Sequence, residues 1–328
     1  DEPLGSCSVS STVQRLRVGL AGLLVVSSLL GCSSSRVGVS GSSSTSLLTS
    51  TTSVASTTSV ASTTSVASTT SVASTTSVAS TTASAPSVPL PRVSASAFAV
   101  YDLSSQQWLA QLHADVAHPV GSVMKLLTAY VVMHAGDSAK MVMVPAMHLD
   151  PSESAIGLYP GERLSRALLL RAMLIVSAND AARALAIDVG GSPANFVTMM
   201  NDAARRLGLL HTVAANPVGL DAAGAESSAR DVATLAALLM GDPSFRATVA
   251  RQSATLHGRV HPTTNHLLRA YAGADGIKTG HTSAAGYCLV GSATRNGRTI
   301  IVVVLGAPTD AARVKATASL FDWAFHAT

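Results

Sequence analysis

The chain is short of several things at once. Among its 328 residues aromatics make up 4% and charged residues 12%, lysine occurs four times and cysteine three times. So few aromatic rings leave no stacking platform for single-stranded nucleic acid. The formal charge is +4, but its basic residues stand singly and no run of Lys or Arg forms a phosphate-tracking stripe, so no nucleic-acid partner is expected. A mild positive balance suits an anionic cell envelope instead. Cys7 and Cys32 lie near the start and Cys288 in an apolar strand, which implies no disulfide framework. Cys288 reads as a small core hydrophobe.

Charge and aromatics nearly vanish from Ser33 to Arg92, where Ser, Thr, Ala and Val dominate. Such a stretch cannot bury enough apolar surface to offset its ordering entropy. It holds five tandem copies of Thr-Thr-Ser-Val-Ala-Ser from Thr51 to Ser80. A β-solenoid would have one Val and one Ala per rung to fill its core, so a flexible tether is expected over 33–92, on the order of 40 Å end to end. Ahead of it, Arg15 and Arg17 precede the apolar run Val18 to Leu30, too short to span a bilayer and flanked like a secretory signal peptide. Leu29-Leu30-Gly31-Cys32 resembles a bacterial lipobox, which would make Cys32 a lipidation site; the alternative is a signal peptide cut nearby with Cys32 incidental. The expected organisation is a signal peptide at 1–32, the tether at 33–92 and one catalytic domain at 93–328.

Within 93–328, strand patterns run from Ala95 to Asp102 and from Trp108 to Leu112. Helical patterns follow at Ser122 to His134, Arg163 to Val176, Asp180 to Val189, Asn195 to Leu207 and Ala229 to Met240. Strands return at Gly276 to Thr279, Gly286 to Thr294 and Thr299 to Leu305, the last two flanking the hairpin signal Asn296-Gly297. A closing helix, Ala311 to Phe325, aligns Val314, Ala318, Phe321 and Phe325. Terminal strands around a helical middle predict an α+β fold: an antiparallel sheet flanked by helices, with a helical lobe.

Three short patterns carry chemistry. In Ser122-Val123-Met124-Lys125 the hydroxyl and the amine sit three residues apart, on one face of a helix. Serine needs a base, and a buried lysine losing its proton can be one, as arginine cannot. Ser177-Ala178-Asn179 could relay a proton and hold a substrate amide; alone, it reads first as a helix break with Asn179 as N-cap. Lys278-Thr279-Gly280 ends a strand, where Gly admits a substrate backbone and Lys with Thr can grip a carboxylate; alone, it reads first as a surface strand end. His257 and His261 have metal-like spacing, but Gly258 and Pro262 break any helix that would align them, and neither metal nor cofactor is expected.

Together and in this order, S-x-x-K, S-x-N and K-T-G resemble the signature of penicillin-binding proteins and serine β-lactamases. Pro119-Val120-Gly121-Ser122, Gly161-Glu162, Asp275 to Thr282 and Ala285 to Val290 extend the likeness to the low-molecular-mass D-Ala-D-Ala carboxypeptidases, from Val93 to Phe325. The resemblance implies a β-lactamase/transpeptidase-like fold. It also implies a serine peptidase outside the cytoplasm that takes the terminal D-alanine from peptidoglycan stem peptides and is acylated by β-lactams. Ser122 would be the nucleophile, Lys125 its base, and Ser177 with Lys278 the proton network. Asn179 would bind the acyl-side amide. The amides of Ser122 and His281 would form the oxyanion hole, and Thr279 with Arg313 would hold the terminal carboxylate. Gly121, where alanine is usual, and Ser283, where an acidic residue is common, depart from the family. Two other readings are a β-lactamase and a non-catalytic wall-peptide-binding lipoprotein. No glutamate lies between Glu162 and Glu226, so the deacylating base of a class A β-lactamase is expected to be missing.

Overall fold

The computed structural model describes residues 88–326. The expected signal peptide, Cys32 and the tether as far as residue 87 lie outside the described residues. From Ala97 the chain forms β1 (Ala97–Asp102) and β2 (Gln107–Leu112), then a 3-10 turn, Gly121–Met124, running into α1 (Lys125–His134). Two short strands, β3 (Met141–Met143) and β4 (Arg163–Ser165), bracket a long loop. Next, α2 (Arg166–Arg171) passes through a π-helical turn, Ala172–Val176, toward α3 (Asn179–Gly190) and α4 (Pro193–Arg206). After a further loop come α5 (Ala229–Leu239), α6 (Pro243–Val249), the hairpin β5 (Ser253–Leu256) and β6 (Arg259–Pro262), and a short α7 (Leu267–Ala270). The chain closes with β7 (Ala274–Thr282), β8 (Gly286–Arg295), β9 (Arg298–Ala307) and α8 (Asp310–His326).

The main sheet is antiparallel in the order β2-β1-β9-β8-β7, with β7 at an edge. Helices cover both of its faces, which is the α+β arrangement expected. The β8–β9 turn forms at Asn296-Gly297, both at positive φ (51° and 77°), as a two-residue turn matching strand twist requires. Ser192 and Ser228 cap α4 and α5 by accepting from the amides of Asn195 and Asp231, and Pro193 opens α4 where its missing N–H costs nothing. Along β9, Ile301, Val303 and Leu305 enter the larger core beneath α1, α3 and α5, while Ile300, Val302 and Val304 enter a second core beneath α8. Burial on both faces is why this strand reads as one unbroken apolar run.

Several expectations need correction. Arg163 to Val176 is not one helix: Arg163–Ser165 pairs with Met141–Met143, and the helix after it widens into the π turn. The strand expected at Gly276 to Thr279 runs from Ala274 to Thr282, because pairing with β8 continues through Gly280 and His281 regardless of local propensity. The stripe assigned to the last helix is rotated: Phe321 is buried as expected, but Arg313, Ala316, Thr317, Leu320 and Ala324 are buried with it, whereas Val314, Ala318 and Phe325 are only partly so. A buried arginine in the middle of that face disguised it. Asn179 does not cap α3; the cap position is Ala178. His257 and Gly258, both at positive φ, make the β5–β6 turn, and among the described residues no group of three His, Cys, Asp or Glu could hold a metal ion.

Candidate active site

The site lies where the start of α1 meets edge strand β7 and the turn before α3. Ser122 falls in the 3-10 turn and Lys125 opens α1, so the two side chains share a face, with Lys125 Nζ 2.7 Å from Ser122 Oγ. Lys125 is fully buried, and its amine also donates to the carbonyl oxygen of Val218 at 2.6 Å. That carbonyl is held by a small nest: Asn216 Oδ1 accepts from the amides of Val218, Gly219 and Leu220. Burial, and then the nearby positive charge of Lys278, hold the Lys125 amine well below the ordinary lysine range. A neutral amine has two N–H groups and one lone pair. With an N–H on Val218, the lone pair is free to take the Ser122 proton.

Lys278 is 1% exposed and donates to Ser177 Oγ at 2.9 Å and to the Thr279 carbonyl at 2.8 Å. Burial, followed by the charge of Arg313, lowers its pKa to about 7. Ser177 ends the π turn in the left-handed region, at φ 65°. A π turn followed by a non-glycine residue at positive φ is locally costly, and such strain gathers at functional sites. Asn179 is buried, donates Nδ2 to Glu153 Oε2 at 2.5 Å, and leaves its Oδ1 without a partner.

Two glycines let β7 approach Ser122. A Cβ on Gly280 would sit 2.3 Å from the Val120 carbonyl oxygen and 3.2 Å from the Ser122 amide nitrogen. A Cβ on Gly121 would sit 2.9 Å from the His281 amide nitrogen, and Gly121 has φ +55°. Glycine at 121 meets that positive φ and that close approach without strain. The same close approach brings the Ser122 and His281 amides to one place. The exposed His281 ring stacks on Tyr287 at 4.0 Å, with the Arg313 guanidinium 5.4 Å from the Tyr287 ring centre. Thr279 Oγ1 is 2.7 Å from Thr264 Oγ1. Arg313 is 6% exposed and braces the strands from beneath, donating to the carbonyls of Gly280 (2.8 Å) and Cys288 (2.9 Å) and pairing with Asp310. Its charge lies under the site without its side chain entering it.

Thus Ser122, Lys125, Ser177, Asn179, Lys278, Thr279, Gly280 and His281 converge, with Arg313 behind them. Four contributors were missed in the sequence: Glu153, the Val218 carbonyl, Thr264 and Asp221. Asp221 accepts from Thr282 Oγ1 and the Ala284 amide, so an acidic side chain from another loop serves the turn that carries Ser283. None of these has a periodic or spaced signal, because each arrives on a loop. Cys288 is buried as expected, and burial raises its thiol to about 11.

An antiparallel sheet with a serine and a buried lysine one helical turn apart, and a second lysine on a facing edge strand, defines the active-site serine acyl-transfer class. A family profile described as D-alanyl-D-alanine carboxypeptidase matches residues 79–309. The chain belongs to that family. It is 36% identical over 252 residues to the D-alanyl-D-alanine carboxypeptidase DacC of Escherichia coli, covering 73% of this chain and 63% of that protein. It is also 36% identical over 255 residues to DacB2 of Mycobacterium tuberculosis, covering 74% of this chain and 86% of that one. Among solved structures, penicillin-binding protein D2 of Listeria monocytogenes in its cefotaxime-bound form superposes with a TM-score of 0.66 at 34% identity, covering 73% of this chain and all of that one.

Proposed function

We propose that the chain is a serine-type carboxypeptidase that removes the terminal D-alanine from peptidoglycan stem peptides ending in D-Ala-D-Ala, and that β-lactams acylate it at Ser122. The observation that carries this reading is the buried Lys125 amine 2.7 Å from the Ser122 hydroxyl. Ser122 Oγ attacks the carbonyl carbon of the D-Ala-D-Ala bond while its proton passes to Lys125 Nζ. The developing oxyanion takes the amides of Ser122 and His281. The C–N bond then breaks, the leaving nitrogen is protonated through Ser177 and Lys278, and D-alanine departs. Water hydrolyses the remaining ester. Asn179 holds the acyl-side amide; Thr279, with the charge of Arg313 behind it, holds the terminal carboxylate.

The test is D-alanine release from a pentapeptide ending in D-Ala-D-Ala. Release that stops on adding benzylpenicillin, with covalent label on Ser122, is the expected result. Absence of both release and label would leave only a wall-peptide-binding protein. Rapid nitrocefin turnover would favour a β-lactamase.

The basic flank and apolar run at 15–30 support export to the outer face of the cell membrane or into the wall, with Cys32 as the lipid anchor and 33–92 as the tether. Cys32→Ala should release the protein from membranes; a soluble unmodified protein would argue for secretion instead. Among the described residues no helix is long and apolar enough to cross a membrane.

A further inference from the structure

Glu153 lies in the long loop between β3 and β4, between the S-x-x-K and S-x-N patterns and part of neither. Its side chain is 8% exposed. The loop is stitched to the start of α3 at three levels. The Asn179 amide donates to the Ser154 carbonyl at 2.7 Å, and the Asp180 carboxylate accepts from the amides of Ile156, Gly157 and Leu158. At the third level Glu153 accepts from Asn179 Nδ2 at 2.5 Å and pairs with Arg183 at 2.9 Å. Asn179 and Arg183 are four residues apart on one helix, so a single carboxylate can reach both.

A side-chain amide has two nearly isosteric ends, and its neighbours decide which way it faces. A carboxylate only accepts, so the end of Asn179 against Glu153 must be the NH2. The oxygen is then turned away from Glu153, and it is buried with no partner. A buried amide oxygen left unpaired is costly unless something binds there. We propose that Glu153 is a positioning residue: it locks the Asn179 carboxamide in one of its two orientations, so that Oδ1 and the remaining Nδ2 hydrogen meet the acyl-side amide of the substrate. The inference rests on the carboxypeptidase reading and deepens it. Burial works against the Glu153 charge, but the hydrogen bonds and charge of Arg183 and the bond from Asn179 outweigh it and hold the carboxyl below its usual range. Both of its oxygens are occupied by donors, which suits a clamp and not a base.

The test compares acylation of the full chain by benzylpenicillin, which carries an acylamido side chain, and by 6-aminopenicillanic acid, which does not. Glu153→Ala should slow acylation by benzylpenicillin about 10- to 100-fold, the range a charge-assisted hydrogen bond spans, and change that by 6-aminopenicillanic acid less than about threefold. Glu153→Gln, whose Oε1 still accepts from Asn179, should recover most of the loss. Equal slowing toward both compounds, or no slowing toward either, overturns the role of Glu153. An unmodified protein that neither compound acylates removes the carboxypeptidase reading and this inference together.

Discussion

Both faces of the central sheet are buried, but they are made of different material. Beneath α8, Phe98, Val100, Leu289, Ile300, Val302 and Val304 meet Leu320, Phe321, Trp323 and Ala324, an apolar layer. On the opposite face the larger apolar core ends in a polar patch: Lys125, Ser177, Asn179 and Lys278, all buried, two of them lysines with depressed pKa values. Burying an amine costs free energy, and burying an aliphatic side chain returns it. A fold selected for stability alone would not place two lysines there. The difference separates the face that holds the molecule together from the face that does the chemistry, and substitutions on the two should have opposite signatures.

The largest effect should come from Lys125, the proposed base. Lys125→Arg keeps a cation but removes the group able to accept a proton, so acylation by penicillin should fall about 10³-fold or more in stopped-flow labelling. Normal kinetics in that variant would falsify the assignment. Lys125→Met should be equally inactive without a lower melting temperature, since it removes a buried amine and leaves no charge unpaired. Next comes Gly280→Ala. The added carbon, 2.3 Å from the Val120 carbonyl oxygen, must push β7 away from Ser122, and acylation should drop about 100-fold, the effect of a displacement of about 1 Å. Wild-type rates with an unchanged crystal structure would show that the close approach is dispensable.

On the other face the signature reverses. Leu320 is fully buried, so Leu320→Ala should cost about 2–5 kcal/mol in urea unfolding and leave the acylation rate of the folded protein unchanged. Slower acylation in that variant would mean the two faces are coupled. The smallest effect is a pH dependence. Lys278 has a folded pKa of about 7 against an ordinary value of 10.5, so between these values the unfolded chain binds the extra proton. Stability contributed by this site should therefore rise with pH from about 7 toward 10.5 and stay flat below 7. Lys278→Met should lower that slope and leave the part that the depressed Lys125 amine contributes; an unchanged slope in melting curves would place its origin elsewhere.

The two faces also differ in how far they can be read from the chain. The strand pattern of β1, the apolar run of β9 and the Asn296-Gly297 turn are local patterns, each set by residues within a few positions of one another, and they predicted the α+β fold. S-x-x-K, S-x-N and K-T-G are local too, and their order along the chain led to the family before any distance was known. The last helix was placed correctly but turned on its axis, because Arg313 on its buried face finds its partners in strands β7 and β8. Glu153, the Val218 carbonyl, Thr264 and Asp221 left no pattern, since each acts on a residue 15 to 93 positions away. The short residue patterns thus established the family, the helix that brings Ser122 beside Lys125, and the strand that carries Lys278. Folding decided how deeply those amines are buried, which way the Asn179 amide faces and how near β7 comes to Ser122. Burial and orientation depend on every neighbour at once, and most of those neighbours come from distant loops.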